Sequence, residues 1–227
     1  FSQNVLNEVN ASAVVVDTRE ELAGLSDMTI EAAAEAAKAK DMEGKYLIAL
    51  LNTSQQPPLA SLENRALRQR IMETSLARGS HGGEFDNREI LTRVVKLRAD
   101  RAQLMGYENH AAFGLENQTA RTTAAVNERL ASLAPPAVAN ANREAADMQA
   151  IIDKEGNDFK LQAWDWWYYA EKVKKEKYAL DDSMLRPYFK MENVRKGAFD
   201  VAEKLFGIKF VKRNDIQIYH PEVEVFE

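Results

Sequence analysis

The side chains best suited to metal or proton chemistry are three histidines, His81, His110 and His220. None of them begins the spacing His-Glu-x-x-His, which places two zinc-binding imidazoles and a general base on one helical face. The segment His81-Gly-Gly-Glu84 resembles half of an inverted zinc motif, but Phe85 stands where a second histidine is needed. We therefore expect His81 to be an exposed loop residue, and His110 and His220 to have structural roles.

Nucleophilic and anion-binding chemistry has equally little support in the sequence. There is no cysteine and no Gly-x-Ser-x-Gly turn, so the usual activated nucleophiles are missing. Asp181 and Asp182 are adjacent carboxylates that could bind a cation, but acidic residues at the start of a helix are explained by the helix dipole. Lysines alternate with glutamates in the segment 171–177, a pattern typical of a solvated helix face.

The most unusual stretch of the chain is the aromatic segment 161–189, which contains all three tryptophans and four of the seven tyrosines. Large aromatic side chains bury about 150–250 Å² each, so this segment either packs into a core or lines a cavity. Packing on both sides between neighbouring helices is the simpler interpretation. The functional interpretation is the wall of a substrate channel, for which the candidates are Trp164, Tyr168 and Tyr169.

The composition limits the class of protein. The chain has 227 residues, 45% of them hydrophobic and 29% charged, with a net charge of −5 and a pI near 5.4. This balance excludes a general nucleic-acid or anionic-membrane binder. No apolar run approaches the roughly 20 residues that cross a bilayer. The lack of cysteine favours a cytoplasmic protein, with the periplasm as the alternative.

The first half of the chain is predicted to combine two short strands with helices. Val14 to Val16 and the apolar run 46–51 indicate strands. Periodic segments at 29–42 and 86–106 predict helices. A long amphipathic helix is expected over 59–78, with Leu67 and Ile71 inside and Arg65, Arg68 and Arg70 facing outwards.

The second half is predicted to be helical until its last residues. Helices are expected over 122–134, from there to about 154 after a break at Pro135-Pro136, over 164–178 and over 191–206. Alternating residues predict strands at 208–212 and 223–226. The fold class is therefore mainly α and multi-helical with a few short β-strands. We expect a single, partial domain over 1–227, with a weak internal boundary near 155–163.

Several long segments resemble, in the same order, the thimet oligopeptidase/neurolysin family of metallopeptidases, and together they cover essentially the whole chain. The segments are WDWWYYAEKVKKEKYALDDSMLRPYF, LLNTSQQPPL, NRALRQRIMETSLARG, DNREILTRVVKLRADRAQLMGYENHAAFGLENQTA and GAFDVAEKLFGIKFVKRNDIQIYHPEVEVFE. Within the family, LLNTSQQP and YAEKVKKEKYALDD are most similar to the bacterial peptidyl-dipeptidases, which remove dipeptides from peptide C-termini. The endopeptidases of the oligopeptidase A type are the alternative.

The resemblance implies a fold of two mostly helical lobes around a deep channel, and a zinc ion that polarises the peptide carbonyl and activates water. The family's His-Glu-x-x-His and its glutamate ligand lie downstream of the Tyr-His-Pro segment, so no catalytic residue and no metal ligand is transferred to any residue here. The chain would be an internal part of a longer peptidase, whose substrate is an oligopeptide and whose catalytic lobe is the missing partner.

This interpretation makes the chain by itself inactive and unable to bind zinc tightly. It also predicts an exposed apolar surface larger than the usual few hundred Å², because the partner lobe is missing. The rival hypothesis is a helical scaffold or peptide-binding module without any catalytic parent.

Overall fold

The computed structural model describes residues 1–51, 53, 55–179, 182–185 and 187–227, with the backbone alone at 182 and 183. The described residues are mainly helical and form two compact units, Phe1–Glu176 and Lys177–Glu227. The helices are α1 Ser2–Ala11, α2 Asp27–Lys38, α3 Arg65–Leu76, α4 Arg88–Leu104, α5 His110–Leu115, α6 Thr123–Lys154, α7 Trp166–Tyr178, α8 Asp182–Leu185 and α9 Met191–Phe206. The strands are β1 Val14–Val16, β2 Tyr46–Ile48, β3 Lys212–Arg213 and β4 Val225–Phe226.

The main core of the first unit lies between a two-stranded sheet and its helices. β1 and β2 are antiparallel, with Val14 opposite Ile48, and α2 packs beside β2. Alternation along β1 buries Val14 and Val16. The buried members of this core are Val9, Val14, Val16, Leu22, Ile30, Ile48, Leu50, Leu59, Leu62, Leu67 and Ile71. Burial of each large aliphatic side chain contributes about 1.5–3 kcal/mol.

The helix predicted over 59–78 begins later than the sequence indicates. A 3₁₀ turn spans Pro57–Ala60, and α3 begins after Asn64, whose Oδ1 accepts a hydrogen bond from the Leu67 amide at 3.1 Å. The segment between the turn and α3 does not continue the helix, because the Glu63 amide donates to the distant Ala23 carbonyl at 2.9 Å. Next to it, Gly24 has φ +91° and its Cα is so close to the segment that a Cβ would lie 2.1 Å from the Ser61 carbonyl oxygen.

A second, smaller core joins the end of α6 to α7. Met148, Ile152 and Tyr169 are buried there, and Phe159 and Trp166 pack against them. The sequence predicted a break at Pro135-Pro136, but α6 continues through both prolines. The helix is exposed on all sides from 127 to 140, so water can satisfy the carbonyls that lose their intrahelical donors.

The second unit consists of α8, α9 and the short β3–β4 pair. Gly207 ends α9 in the left-handed conformation at φ 69°, as a glycine at C′ predicts. Lys212 lies opposite Phe226, and the Val211 amide and Glu227 carbonyl extend the pairing by one residue at 2.8 Å. Strand pairing therefore covers only part of the two segments predicted as strands.

Two predictions about organisation remain predictions. The segment 155–163, where a weak boundary was expected, lies within the first unit, and a single domain over 1–227 is not tested by the compactness of the units. The adjacent carboxylates at 181 and 182 lie outside the described residues and side chains.

Among the described residues, no helix has the length and apolar character needed to cross a membrane.

Candidate functional site

The three channel-wall candidates lie at the start of α7, where they have different environments. Tyr169 is only 3% exposed, and its hydroxyl donates to Glu155 Oε2 at 3.3 Å. Burial, and then the charge of Glu155, raises the pKa of Tyr169. Because its ring is buried and its hydroxyl is already bonded, Tyr169 is a packing residue in this structure.

Tyr168 is half-buried, and two cations contact its ring. The Arg68 guanidinium carbon is 4.3 Å from the ring centroid, and Lys172 Nζ is 4.5 Å from it. Burial lowers the pKa of Lys172, but its hydrogen bonds to Glu155 and Tyr168 outweigh burial and leave that pKa raised. The tyrosine ring therefore helps to hold a charged lysine at the surface of the second core.

Trp164 contributes its backbone to this site and leaves one polar atom unused. Its carbonyl accepts a hydrogen bond from Arg68 Nε at 3.3 Å, and the Arg65 guanidinium carbon lies 5.6 Å from its ring centroid. Its indole Nε1 is buried without a hydrogen-bond partner. Of the three candidates, Trp164 is therefore the one with an unsatisfied donor.

The centre of this region is a carboxylate that the sequence analysis did not single out. Asp165 is completely buried and accepts hydrogen bonds from Arg65 Nε and Nη2 and from Arg68 Nη2, at 2.8–3.1 Å. The Gln162 amide adds a further bond to Asp165 Oδ2 at 3.1 Å. Asp165, Arg65 and Arg68 are called the Asp165 cluster below.

The Asp165 cluster joins α3 to the aromatic segment. Arg68 also donates from Nη1 to the carbonyls of Leu62 and Glu63, at 2.8 and 3.0 Å. Four of its five N–H groups are thus bonded, which is the condition for burying a guanidinium. The prediction that Arg68 faces outwards was wrong, because the side chain is 1% exposed. Periodicity along α3 cannot detect a partner that lies 97 residues away.

One signal in the sequence could have identified Asp165. It lies among three tryptophans, and a carboxylate in such apolar surroundings needs cationic partners. Gln162 and Asp165 also have the spacing of a capping box, and at the 3₁₀ turn Ala163–Asp165 the Gln162 amide donates to the Asp165 side chain. The arginines of α3 were the available partners.

α7 also connects the two cores of the first unit. Trp167 packs against the sheet-and-helix core, whereas Tyr169, two residues later, is buried in the second core. This is the two-sided packing that the aromatic composition indicated. The Asp165 cluster and these contacts together fix the orientation of the start of α7.

An open groove of about 430 Å³ lies beside this arrangement, between the end of α6 and α7. Its charged walls are engaged in pairs, with Lys172 2.6 Å from Glu155 and Lys154 3.1 Å from Glu176. These carboxylates are neutralised by lysines and are not arranged as a general acid and base.

The histidines occupy separate places in the described structure. His81 is an exposed loop residue, as expected, and its Nδ1 lies 2.5 Å from Oε1 of buried Glu8. Glu8 also accepts a hydrogen bond from the Gly79 amide, so this contact attaches α1 to the loop after α3. His110 packs near Phe113, with its Nδ1 unbonded, and His220 is exposed.

The described side chains do not fit a zinc ion. Over residues 1–51, 53, 55–179, 184–185 and 187–227, no three His, Cys, Asp or Glu side chains converge as metal ligands. Of the two buried carboxylates among the described residues, Asp165 is already shared by two guanidiniums, and Glu8 is bonded to His81 and the Gly79 amide.

Comparison with known proteins places this arrangement in a family context. The model of "Peptidase family M3" matches residues 58–227. The dipeptidyl carboxypeptidases of Salmonella typhimurium and Escherichia coli are each 42% identical over 228 residues, covering 100% of this chain and 34% of theirs. Oligopeptidase A of Escherichia coli is 34% identical over 231 residues, with the same coverage. The chain thus spans about a third of the length of the curated relatives it matches.

Proposed function

The chain belongs to peptidase family M3, and from this premise we propose that it is part of a longer zinc metallopeptidase that releases dipeptides from the C-termini of oligopeptides. The observation that carries this proposal is the 42% identity with dipeptidyl carboxypeptidases along the whole chain, against 34% with oligopeptidase A. An endopeptidase of the oligopeptidase A type is the alternative.

The role of these 227 residues in such an enzyme is to build and orient a helical wall. The Asp165 cluster holds the start of α7 on α3, and Trp167 and Tyr169 connect α7 to two cores. Of the three candidates, Tyr168 and Trp164 are the two that are only partly buried. We propose these two as the candidates for substrate contact, with Tyr169 supporting them from inside.

The zinc ion and the catalytic side chains belong, in this proposal, to the part of the enzyme outside residues 1–227. The described side chains form no metal-binding group, so no catalytic step is assigned to them. The 227-residue chain alone is expected neither to hydrolyse peptides nor to bind zinc tightly.

The first experiment compares substrates that separate the two peptidase classes. The complete parent enzyme is incubated with an oligopeptide carrying a free C-terminus and with the same peptide amidated at its C-terminus, and products are identified by mass spectrometry. A peptidyl-dipeptidase releases dipeptides sequentially from the free peptide and acts poorly on the amide. Internal cleavage of both peptides at equal rates would instead establish the endopeptidase.

The second experiment tests the division of labour between the chain and the rest of the enzyme. Chelator treatment should abolish activity of the parent enzyme and added zinc should restore it, while the 227-residue chain stays inactive throughout. Zinc-dependent hydrolysis by the chain alone would contradict the proposal. A parent that binds oligopeptides but never cleaves them would favour the scaffold hypothesis.

A further inference from the structure

One apolar face of α9, in the second unit, is covered by the β3–β4 pair and the residues just before it. Phe199 stacks on Phe210 with ring centroids 4.2 Å apart, and it meets Phe226 edge-on at 5.1 Å. The Arg195 guanidinium carbon lies 5.4 Å from the Phe226 ring and completes this contact. This face needs no further partner.

A second apolar face of α9 lies beside the first, and no described residue covers it. It consists of five residues spaced alternately by three and four positions, called the α9 seam: Met191, Val194, Ala198, Val201 and Leu205. All five are exposed, and the four larger side chains range from 48% at Val194 to 74% at Met191. This is the spacing of the a and d positions by which one helix packs along another.

The charges beside the α9 seam indicate what kind of helix would fit it. Lys190 and Lys204 occupy the g positions, and neither forms an ion pair with a described residue. The acidic residues Glu192, Asp200 and Glu203 occupy none of the e and g positions that flank the seam. Because e and g charges select the partner in such packing, the complementary helix carries Asp or Glu beside its apolar residues.

A second copy of the chain fits this seam poorly. In an antiparallel pair the g-position lysines of the two copies would face each other, and in a parallel pair Lys190 would face Arg195 of the other copy. The seam is also only about two heptads long, whereas a sustained coiled coil needs about three to four. Both charge and length therefore favour a different helix inside a larger helical assembly.

We propose that the α9 seam is a docking surface for an amphipathic helix with acidic flanks, contributed by the part of the parent peptidase outside residues 1–227. This inference rests on the proposed function, in which the chain is part of a longer enzyme. About two thirds of the length of the curated relatives has no counterpart in this chain, which provides ample sequence for such a helix.

Thiol labelling tests the proposal directly, because the chain has no cysteine of its own. Leu205→Cys places a thiol in the seam, and Glu203→Cys is the matched control on the polar side of the same helical turn. Each variant is made in the 227-residue chain and in the complete parent enzyme, and labelling is quantified by peptide mass spectrometry. We expect the thiol at 205 to react at least about tenfold more slowly in the parent than in the chain, with no change at 203.

The flanking charges have their own test within the same experiment. In the parent, adding Lys204→Glu to Leu205→Cys should raise the labelling rate, because the acidic flank of the docked helix would then be repelled. Lys196→Glu, on the far side of α9, is the control and should leave the rate unchanged. Equal effects of both substitutions would overturn the inference that the docked helix has acidic flanks.

The remaining outcomes separate this inference from the proposed function. Equal labelling at 205 in the chain and in an active parent would overturn the inference and leave the function intact. Protection at 205 in a parent without peptidase activity would overturn the function and leave the docking surface intact. Protection that depends on the concentration of the 227-residue chain would show a second copy in the seam and overturn the inference.

Discussion

Each unit contains a carboxylate that is shared by two cations, but the two carboxylates have opposite environments. In the first unit, Asp165 is fully buried between Arg65 and Arg68. In the second unit, Glu224 is shared by Arg195 and Lys212, and about a third of its side chain is exposed. Water screens the exposed set, so it contributes little to stability, whereas removing one partner from the buried set leaves an unpaired charge.

Similar ion pairs therefore have different structural roles in the two units. The Asp165 cluster joins two elements about 100 residues apart. A change in the cluster either exposes a guanidinium to water or leaves it buried without its carboxylate partner. The Glu224 set only ties α9 to the adjacent strands, and its members can be hydrated where they lie. All three tryptophans lie in the first unit, so tryptophan fluorescence during urea unfolding measures that unit.

The largest effect is expected from Asp165→Asn. The substitution keeps the shape of the side chain but removes the charge that neutralises Arg65 and Arg68, and we expect a loss of about 3–5 kcal/mol in the free energy of unfolding of the first unit. The control is Glu224→Gln in the second unit, for which the loss, measured by hydrogen exchange of α9, should be below about 1 kcal/mol. Equal losses would mean that burial does not distinguish the two carboxylates.

The next effect is steric and is expected from Gly24→Ala. The new Cβ would lie 2.1 Å from the Ser61 carbonyl oxygen, at a backbone φ of +91°. Backbone strain and overpacking together should cost about 3 kcal/mol, measured as the urea midpoint shift in fluorescence. Gly207 also has a positive φ, but nothing lies within 4 Å of an added Cβ. For Gly207→Ala, hydrogen exchange of α9 should therefore show a loss of stability of only about 1 kcal/mol.

A smaller effect is expected from Arg68→Lys. Lysine keeps the charge beside Asp165 but cannot bond at the same time to the carbonyls of Leu62, Glu63 and Trp164, so we expect a loss of about 2 kcal/mol. The control is Arg195→Lys in the second unit, where water can replace the missing bonds. If Arg68→Lys were as stable as the unsubstituted chain, charge alone would explain the stability that the Asp165 cluster contributes.

The smallest effect concerns stability at high pH. The pKa of Tyr169 is raised, so the folded state favours the neutral phenol. That contribution is fully present below the unfolded tyrosine pKa of about 10 and is lost as pH rises through the folded-state pKa. Lys172, whose pKa is also raised, contributes in the same direction.

Urea unfolding from about pH 8 to about pH 11 measures this dependence. Tyr169→Phe should flatten the alkaline decline in the stability of the first unit. Tyr219→Phe removes a hydroxyl from a side chain that is 93% exposed in the second unit and should leave the decline unchanged. A steeper decline in Tyr169→Phe would contradict the assigned sign.

Local pattern was sufficient for most elements but not for the candidate site. β1, α9 and its final glycine follow from β-branched residues, apolar spacing and left-handed backbone preference, all of which act between near neighbours. The start of α3 was misplaced because the segment before it pairs with a distant turn at Ala23. The continuity of α6 through Pro135-Pro136 depends on exposure, which the sequence does not state.

The sequence by itself determined the mainly helical character, the family resemblance and the position of the aromatic segment, because periodicity and composition are properties of the chain. Only the tertiary structure decided that Arg68 lies inside, that Asp165 is its partner, and that Trp167 and Tyr169 belong to different cores. These facts depend on which distant segments meet, and on how much water is left where they meet. The same two factors leave the α9 seam uncovered while the Asp165 cluster is closed.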